Sequence, residues 1–385
     1  MPHRPFFEAL ICVVLTVNPV IVFAQKNDST WISSASGCKI YNPRPVKNET
    51  ITWDGTCLHG YANGYGKLVW FRNGKVNQVF EGIMKRGAPE GKGRYDFANG
   101  DIYEGNFMKG DFDGIGHYTS ADKHGQIFYS YFGEFKNDDK NGYGTEVIYY
   151  SNSSDTAELY EGYFKDDVRQ GEGRQLTYML KKIYQEYYGT FADDKPDGKG
   201  KFLFLHSGIK PAEYLKITRD SAYTQEYCDE LYIGNVIKGE RTGNGKYFYK
   251  NAVYDGDWNG NMREGTGTLI FNSKLLYAGQ WEDDQFNGFG KGYHKGSLNY
   301  VGYWKKNLRS GFGIWRYSNN GVYVGEFKKH LYNGFGYIIV DGSIAQSGKW
   351  VNGALSEKLL SAEVIRKLKA EYLDYDTCRK IIIDN

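Results

Sequence analysis

One spaced pattern governs this chain: an aromatic residue, a glycine two positions on, usually a second ring two positions later, then a turn and Gly-x-Gly. It opens at Trp53, Phe80, Tyr103, Tyr131, Tyr160, Tyr187, Tyr232, Tyr254, Tyr277, Tyr300, Tyr323 and, degenerately, Gln346. The last copies keep a step of 23 residues, and self-similarity at such a period is the signature of a repeat architecture. With the aromatic as slot 1, glycine fills slot 3 in all twelve copies and slots 12 and 14 in the eleven complete ones, absorbing 34 of the 49 glycines. Thirty-four Tyr, 22 Phe and 8 Trp in 385 residues separate the pattern from glycine-rich disorder. No collagen spacing or sustained heptad is present, which excludes a triple helix and a coiled coil.

Slot 8 holds only Gly, Asp, Asn or His, the residues that tolerate positive φ. It predicts the left-handed position of a hairpin turn between slots 1–6 and slots 12–18. Alternation along a strand places slots 1, 3 and 5 on one face, so the two rings flank a glycine, and slots 12 and 14 offer bare backbone on the next strand. Asn73-Gly74, Asn99-Gly100, Asn320-Gly321 and Asp341-Gly342 predict the turns that return the chain to the next copy. The fold read from this is an all-β antiparallel meander.

Strings such as Tyr103-Glu-Gly-Asn-Phe-Met-Lys-Gly-Asp-Phe-Asp-Gly-Ile-Gly and Tyr300-Val-Gly-Tyr-Trp-Lys-Lys-Asn-Leu-Arg-Ser-Gly-Phe-Gly resemble the MORN repeat, and the resemblance extends over residues 53–353. It implies an elongated, single-layer antiparallel β-meander of about 11–12 MORN repeats, used as a scaffold or interaction module, with membrane phospholipid among the ligands proposed for the family. The 45-residue step from Tyr187 to Tyr232 leaves residues 206–230 as either an insertion or a degenerate repeat.

Residues 1–24 read as a signal peptide, with the apolar core Leu10–Val17 and small residues before a cut after Ala24. Residues 25–52 then form an N-terminal cap whose loop is closed by a Cys38–Cys57 disulfide, a loop of about 20 residues contributing roughly 3 kcal/mol. Cys228 and Cys378 are either bridged or two buried thiols. At the other end, residues 354–385 change period: Leu359, Leu360, Val364, Ile365, Leu368, Tyr372 and Leu373 recur at helical spacing. This predicts a C-terminal capping helix with Ser356 as its N-cap, closing an edge that would otherwise invite self-association.

The 48 Lys+Arg and 46 Asp+Glu leave a net charge of +2, without the basic footprint of a nucleic-acid binder. The Gly-x-Gly strings recur at a structural period and lack the Gly-Lys-Ser/Thr of a phosphate loop. Acidic pairs such as Asp138-Asp139 and Asp283-Asp284 lack a calcium-loop spacing, and the scattered histidines share no spacing for a metal or a nucleophile's base. The expectation is a chain without cofactor or metal. About 28 residues before the array and 32 after it are too few for an enzyme domain.

One candidate ligand face remains. Phe289, Phe312 and Phe335 recur at slot 13, with Lys291 and Arg316 nearby. They form either a stacking track for a glycan or extended peptide, or rings packed on one another across the second face. Function read at this level is a secreted or periplasmic, non-enzymatic scaffold for a protein or cell-envelope partner. The rivals are a phospholipid-binding module and a glycan-binding protein.

Overall fold

The computed structural model describes residues 30–151, 153–211, 229–317 and 321–382. The signal segment 1–24, Cys228 and Asn320 therefore lie outside the described residues. Contacts divide the chain into two compact units, one running up to Ala98 and including Phe107–Gly110, the other made of Asn99–Asn106 and the residues from Asp111 onward. The described residues form 27 strands, from β1 (Thr30–Ser33) to β27 (Ala354–Lys358), and two helices, α1 (Ser361–Glu371) and α2 (Tyr375–Ile382). Within each unit the repeat strands pair antiparallel with their sequence neighbours.

The hairpin of β10 (Ile127–Lys136) and β11 (Asp139–Tyr149) shows why each slot holds its residue. Its turn residues Asn137 and Asp138 have φ of 51° and 78°, and slots 7 and 8 both take positive φ in every one of the twelve copies. Two successive positive φ values make the type I′ turn whose twist suits a hairpin. Beyond the turn Phe135 pairs with Lys140, and Gly133 with Gly144, so three residues on β11 face one on β10. That bulge needs a left-handed residue, supplied by Gly142 at φ 99°. The slot 12 glycine thus serves the bulge, which corrects its reading as bare backbone beneath a ring.

Slots 3 and 14 are the bare pair. The Tyr131 ring covers Gly133 and Gly144, and a Cβ on Gly144 would fall 2.5 Å from the ring's Cε2. Tyr131 Oη donates to the Glu134 carbonyl at 3.0 Å, the carbonyl turned out of the ladder at the bulge. The same bond recurs from Tyr103, Tyr160, Tyr187, Tyr232, Tyr254, Tyr277, Tyr300 and Tyr323 at 2.7–3.1 Å. Burial pushes the Tyr187 and Tyr232 phenols up to about 12, so both keep the proton they donate.

Rings then interlock between repeats. Tyr254 meets Trp258 of its own copy at 5.2 Å and Trp281 of the next at 5.1 Å, both edge-on, the geometry the ring quadrupole favours. The Trp258 and Trp281 indoles donate to the carbonyls of Gly245 and Gly267, at 3.0 and 3.1 Å. In most copies slot 10 lies over this ladder as a ring or a cation: Phe112 stacks on Tyr103 at 3.7 Å, and the Arg263 guanidinium sits 4.4 Å from the Trp281 ring.

Slot 8 has a second duty. The Asp284 carboxylate accepts from Arg263 N at 2.9 Å and Nε at 2.8 Å in the preceding repeat, and Asp138 and Asn307 accept from Phe112 N and Phe286 N, each at 2.8 Å. Where slot 10 is Pro89 or Pro196 there is no N–H to accept, and the following slot 8 is Gly110 or Gly239, each donating its own N–H to the proline carbonyl.

Between β9 (Asp111–Ala121) and β13 (Val168–Met179) the ladder face also holds an ion cluster. Glu146 bonds Lys140 Nζ at 2.7 Å, Tyr129 Oη at 2.6 Å and Arg169 Nε at 2.8 Å, while Arg169 also pairs with Glu158 at 2.7 Å. Burial alone would push the Glu146 carboxyl up, but Lys140 and Arg169 outweigh it and hold it at about 2.

The two ends differ from a simple cap. Cys38 and Cys57 are bridged, with Cα atoms 5.6 Å apart. β2 (Lys39–Asn42) runs over turn residues, Lys39 N donating to Gly60 O and Tyr41 N to Gly87 O. At the other end Ser356 is not an N-cap. It lies in β27, which completes the hairpin of the Gln346 copy, and its hydroxyl donates to Lys349 O. The helical segment is two helices rather than one, Leu360 and Leu373 are exposed, and both helices lie on the sheet face over β22 (Ser297–Lys305), β23 (Leu308–Arg316), β25 (Leu331–Val340) and β26 (Ser343–Val351). Finally, β15 (Lys195–Ile209) pairs directly with β16 (Glu230–Ile237), so no hairpin stands in the sheet between them.

Two outcomes follow from this packing. Gly144→Ala drives a methyl into the Tyr131 ring and is expected to cost at least about 1–3 kcal/mol, against about 1 kcal/mol for Tyr131→Phe, which loses one hydrogen bond; urea denaturation midpoints rank the pair. For Glu146, the folded carboxyl sits below its ordinary value of 4.5, so its contribution is complete above that pH and fades as pH falls towards 2. Glu146→Gln is expected to lose about 3–5 kcal/mol at neutral pH, with the gap to the parent chain narrowing in melts recorded from pH 5 down to 3.

Candidate functional site

The face opposite the ladder carries slots 2, 4, 13 and 15. In the second unit they form two rows of side chains crossing the strands, with the glycine main chain of slots 3 and 14 between them. The first row is an unbroken register of slots 2 and 15. It runs from His117 through Phe132, Thr145, Glu161, Arg174, Tyr188, Lys201, Ile233 and Lys246 to Val301, Ile314, Val324 and Tyr337. The second row alternates slots 13 and 4: Tyr143 beside Tyr163, Lys199 beside Asn235, Phe289 beside Tyr303, Phe312 beside Glu326 and Phe335 beside Lys349.

The late part of this furrow is occupied by the chain itself. Val364, Leu368, Tyr375, Cys378 and Ile382 pack into one cluster with Val301, Phe312, Ile314, Val324 and Tyr337. Polar contacts fasten them: Tyr303 donates to Asp374, Tyr372 to Glu326 at 2.7 Å, and Tyr337 and Tyr375 share a bond of 2.6 Å. Burial pushes the Cys378 thiol up to about 12, which leaves it a small apolar group in this cluster.

The aromatic track is corrected accordingly. Phe312 is 0% exposed and stacks on Tyr372 at 5.1 Å. Phe289 and Phe335 are half-buried against the same cluster, with Lys367 Nζ 4.4 Å from the Phe335 ring. Arg316 donates to the Ile382 carbonyl and so ties down α2, while Lys291 stays half-buried in the first row beside Val301. These rings therefore bind the chain's own helices; they are not an open stacking track.

The middle of the furrow is open. A groove of about 600 Å³ lies over β13, β14 (Lys182–Ala192), β15, β16 and β17 (Glu240–Tyr249). Its floor is Gly189, Gly200 and Gly234; Tyr188, Lys201 and Ile233 make one wall, and Glu172, Thr190, Lys199, Asn235 and Asn244 the other. Tyr188 is 55% and Ile233 46% exposed. Nearby charges are paired: Arg174 with Glu186 at 2.6 Å, Lys246 with Asp255 at 3.5 Å. Further along the same face Ile115, Phe132, Tyr143 and Tyr163 are also exposed.

Among the described residues that line the groove there is no His, Cys or Ser. The strands do bring His117 Nε2 to 2.9 Å from Ser130 Oγ, a pairing that spacing does not reveal, yet among the described residues no carboxylate bonds that imidazole. Nor does any group of three or more His, Cys, Asp or Glu among the described residues stand close enough to hold a metal. Tyr188, Lys201 and Ile233 escape a reading that follows slot 13 alone. The available signal is slot 2 together with slot 15, whose residues turn from mixed to aliphatic at Val301, Ile314 and Val324, where the helices dock.

Comparison with known sequences agrees with this geometry. The MORN repeat profile matches residues 80–102, 103–125, 131–148, 160–176, 187–204, 232–251, 254–274, 277–291, 300–322 and 323–343. The proteins named Alsin from Rattus norvegicus and Homo sapiens are each 28% identical, over 158 and 173 residues, or 40% and 44% of this chain. The matched stretch spans only 9% of the length of those relatives.

Val324→Asp places a carboxylate in the apolar bed of the helices, where an unpaired charge is not tolerated. It is expected to free the helices while the hairpins persist, seen as rapid tryptic cleavage after Arg366, Lys367 or Lys369 with unchanged tryptophan fluorescence.

Proposed function

This chain belongs to the MORN repeat family, and on that premise we propose that it is a non-enzymatic scaffold holding a polypeptide partner in the open groove over β13–β17. The observation that carries this reading is the pairing of exposed Tyr188 and Ile233 above a glycine floor. An aromatic and an aliphatic anchor beside backbone that a ligand can approach closely suit a polypeptide, with a polar rim from Lys199, Asn235 and Asn244. The paired charges of the rows favour such a partner over an anionic bilayer, which calls for concentrated cations. The glycan track through Phe289, Phe312 and Phe335 is disfavoured because Phe312 is covered.

The compartment proposed is secreted or periplasmic, with residues 1–24 acting as a cleaved leader and the partner a protein or cell-envelope component. The Cys38–Cys57 bridge supports an oxidising location. A non-enzymatic role is supported by where the perturbed phenols lie: Tyr300 and Tyr323, pushed up by burial, sit in the ladder, and Tyr337 and Tyr372 beneath or within the docked helices.

To test this, the full chain and a Tyr188→Ser/Ile233→Ser variant are each immobilised and exposed to a cell-envelope extract. A protein retained by the parent and reduced about tenfold or more by the variant is the expected result. Identical proteins on both, or lipid alone, would overturn the reading.

A further inference from the structure

We propose that the groove over β13–β17 receives an amphipathic α-helix whose apolar stripe is flanked by acidic residues. This rests on the scaffold reading above and adds the shape and charge of the occupant.

The first support is continuity with an interface already formed. The row that carries Tyr188, Lys201 and Ile233 is the same row that, strands later on the same face, carries Val301, Ile314 and Val324 beneath α1 and α2. Equivalent slots of one repeating surface present equivalent spacings. What the chain lays on that surface is helix, anchored by Val364 and Leu368 at i and i+4, and by Tyr375, Cys378 and Ile382 at i, i+3 and i+7.

The second support is dimensional. Tyr188 and Ile233 stand two strands apart across Lys201, a separation of roughly 9–10 Å at the usual strand spacing. Residues i and i+7 of a helix lie about 10.5 Å apart along its axis. One stripe of an amphipathic helix therefore reaches both anchors, as Tyr375 and Ile382 of α2 reach their own bed.

Charge fixes the third property. The groove's polar wall carries exposed Lys199, and Glu172 is the single carboxylate among its lining residues. Under the chain's own helices the sheet residue Tyr303 donates to the Asp374 carboxylate. A helix with Glu or Asp beside its apolar stripe meets Lys199, whereas a lysine-rich helix would be repelled there.

The test uses the full chain and three fluorescent synthetic peptides of helix-forming sequence. One has Leu at i, i+4 and i+7 with flanking Glu, the second has Lys in place of those Glu, and the third has the acidic composition with the stripe scrambled. Anisotropy titrations are expected to show saturable binding of the acidic peptide and binding weaker by about tenfold or more for the other two. Tyr188→Ser/Ile233→Ser should weaken the acidic peptide about tenfold or more, and Lys199→Glu should narrow or reverse the order of the acidic and basic peptides. Both sets of residues are exposed, and circular dichroism verifies that the variants fold.

Equal binding of the acidic and scrambled peptides, or binding unmoved by the double variant, would overturn the inference. So would failure of the acidic peptide alongside an extract partner that still depends on Tyr188 and Ile233; in that case the scaffold reading stands and only the helix is lost.

Discussion

A tyrosine laid across two facing glycines is the contact on which this architecture depends. A lone hairpin is marginal in water because it has too little apolar surface to bury. Here each slot 1 tyrosine covers main chain of its own two strands, bonds the carbonyl that the bulge releases, and meets slot 5 rings of its own copy or the next edge-on. The glycines at slots 3 and 14 cannot be exchanged because the ring occupies the volume any Cβ would need. The bulge, the ring and the bare pair form one mechanical unit, and the sheet is that unit repeated.

The parts of this unit differ in how openly the sequence displays them. Slot 8 is legible because positive φ restricts residue identity, and all twelve positions take it. Its second duty, accepting an N–H of the preceding repeat, is also written in the residues: proline at slot 10 in Pro89 and Pro196 goes with glycine at the next slot 8. That signal couples two repeats and disappears when each copy is read alone. Slot 12 is harder still, since a glycine under a ring and a glycine in a bulge look identical in one dimension.

The second face shows the same limit more sharply. Slot 13 supplies a row of phenylalanines, and a row of rings reads equally well as a ligand track or as a packing surface. The choice is made by α1 and α2, which return to the sheet from far along the chain, and helical periodicity in Leu359–Leu373 does not say where a helix will land. Ser356 illustrates the conflict: it is a good helix-capping residue by type, yet hairpin completion of the last copy claims it for a strand. The open groove emerges only by subtraction, as the part of the furrow that the helices leave uncovered.

Every hairpin is closed at slots 7 and 8 by the same two-residue turn, whereas the steps between copies range from 22 to 45 residues. All of that variation therefore falls on the other connections, beyond the last slots of each copy. Because the ladder is built from slots 1–14, material added there does not shift the register of a single ring. Each repeat thus has one margin locked by geometry and one free to be lengthened, so that segments can accumulate on one side of the sheet as outgrowths while the aromatic spine beneath them keeps its cadence.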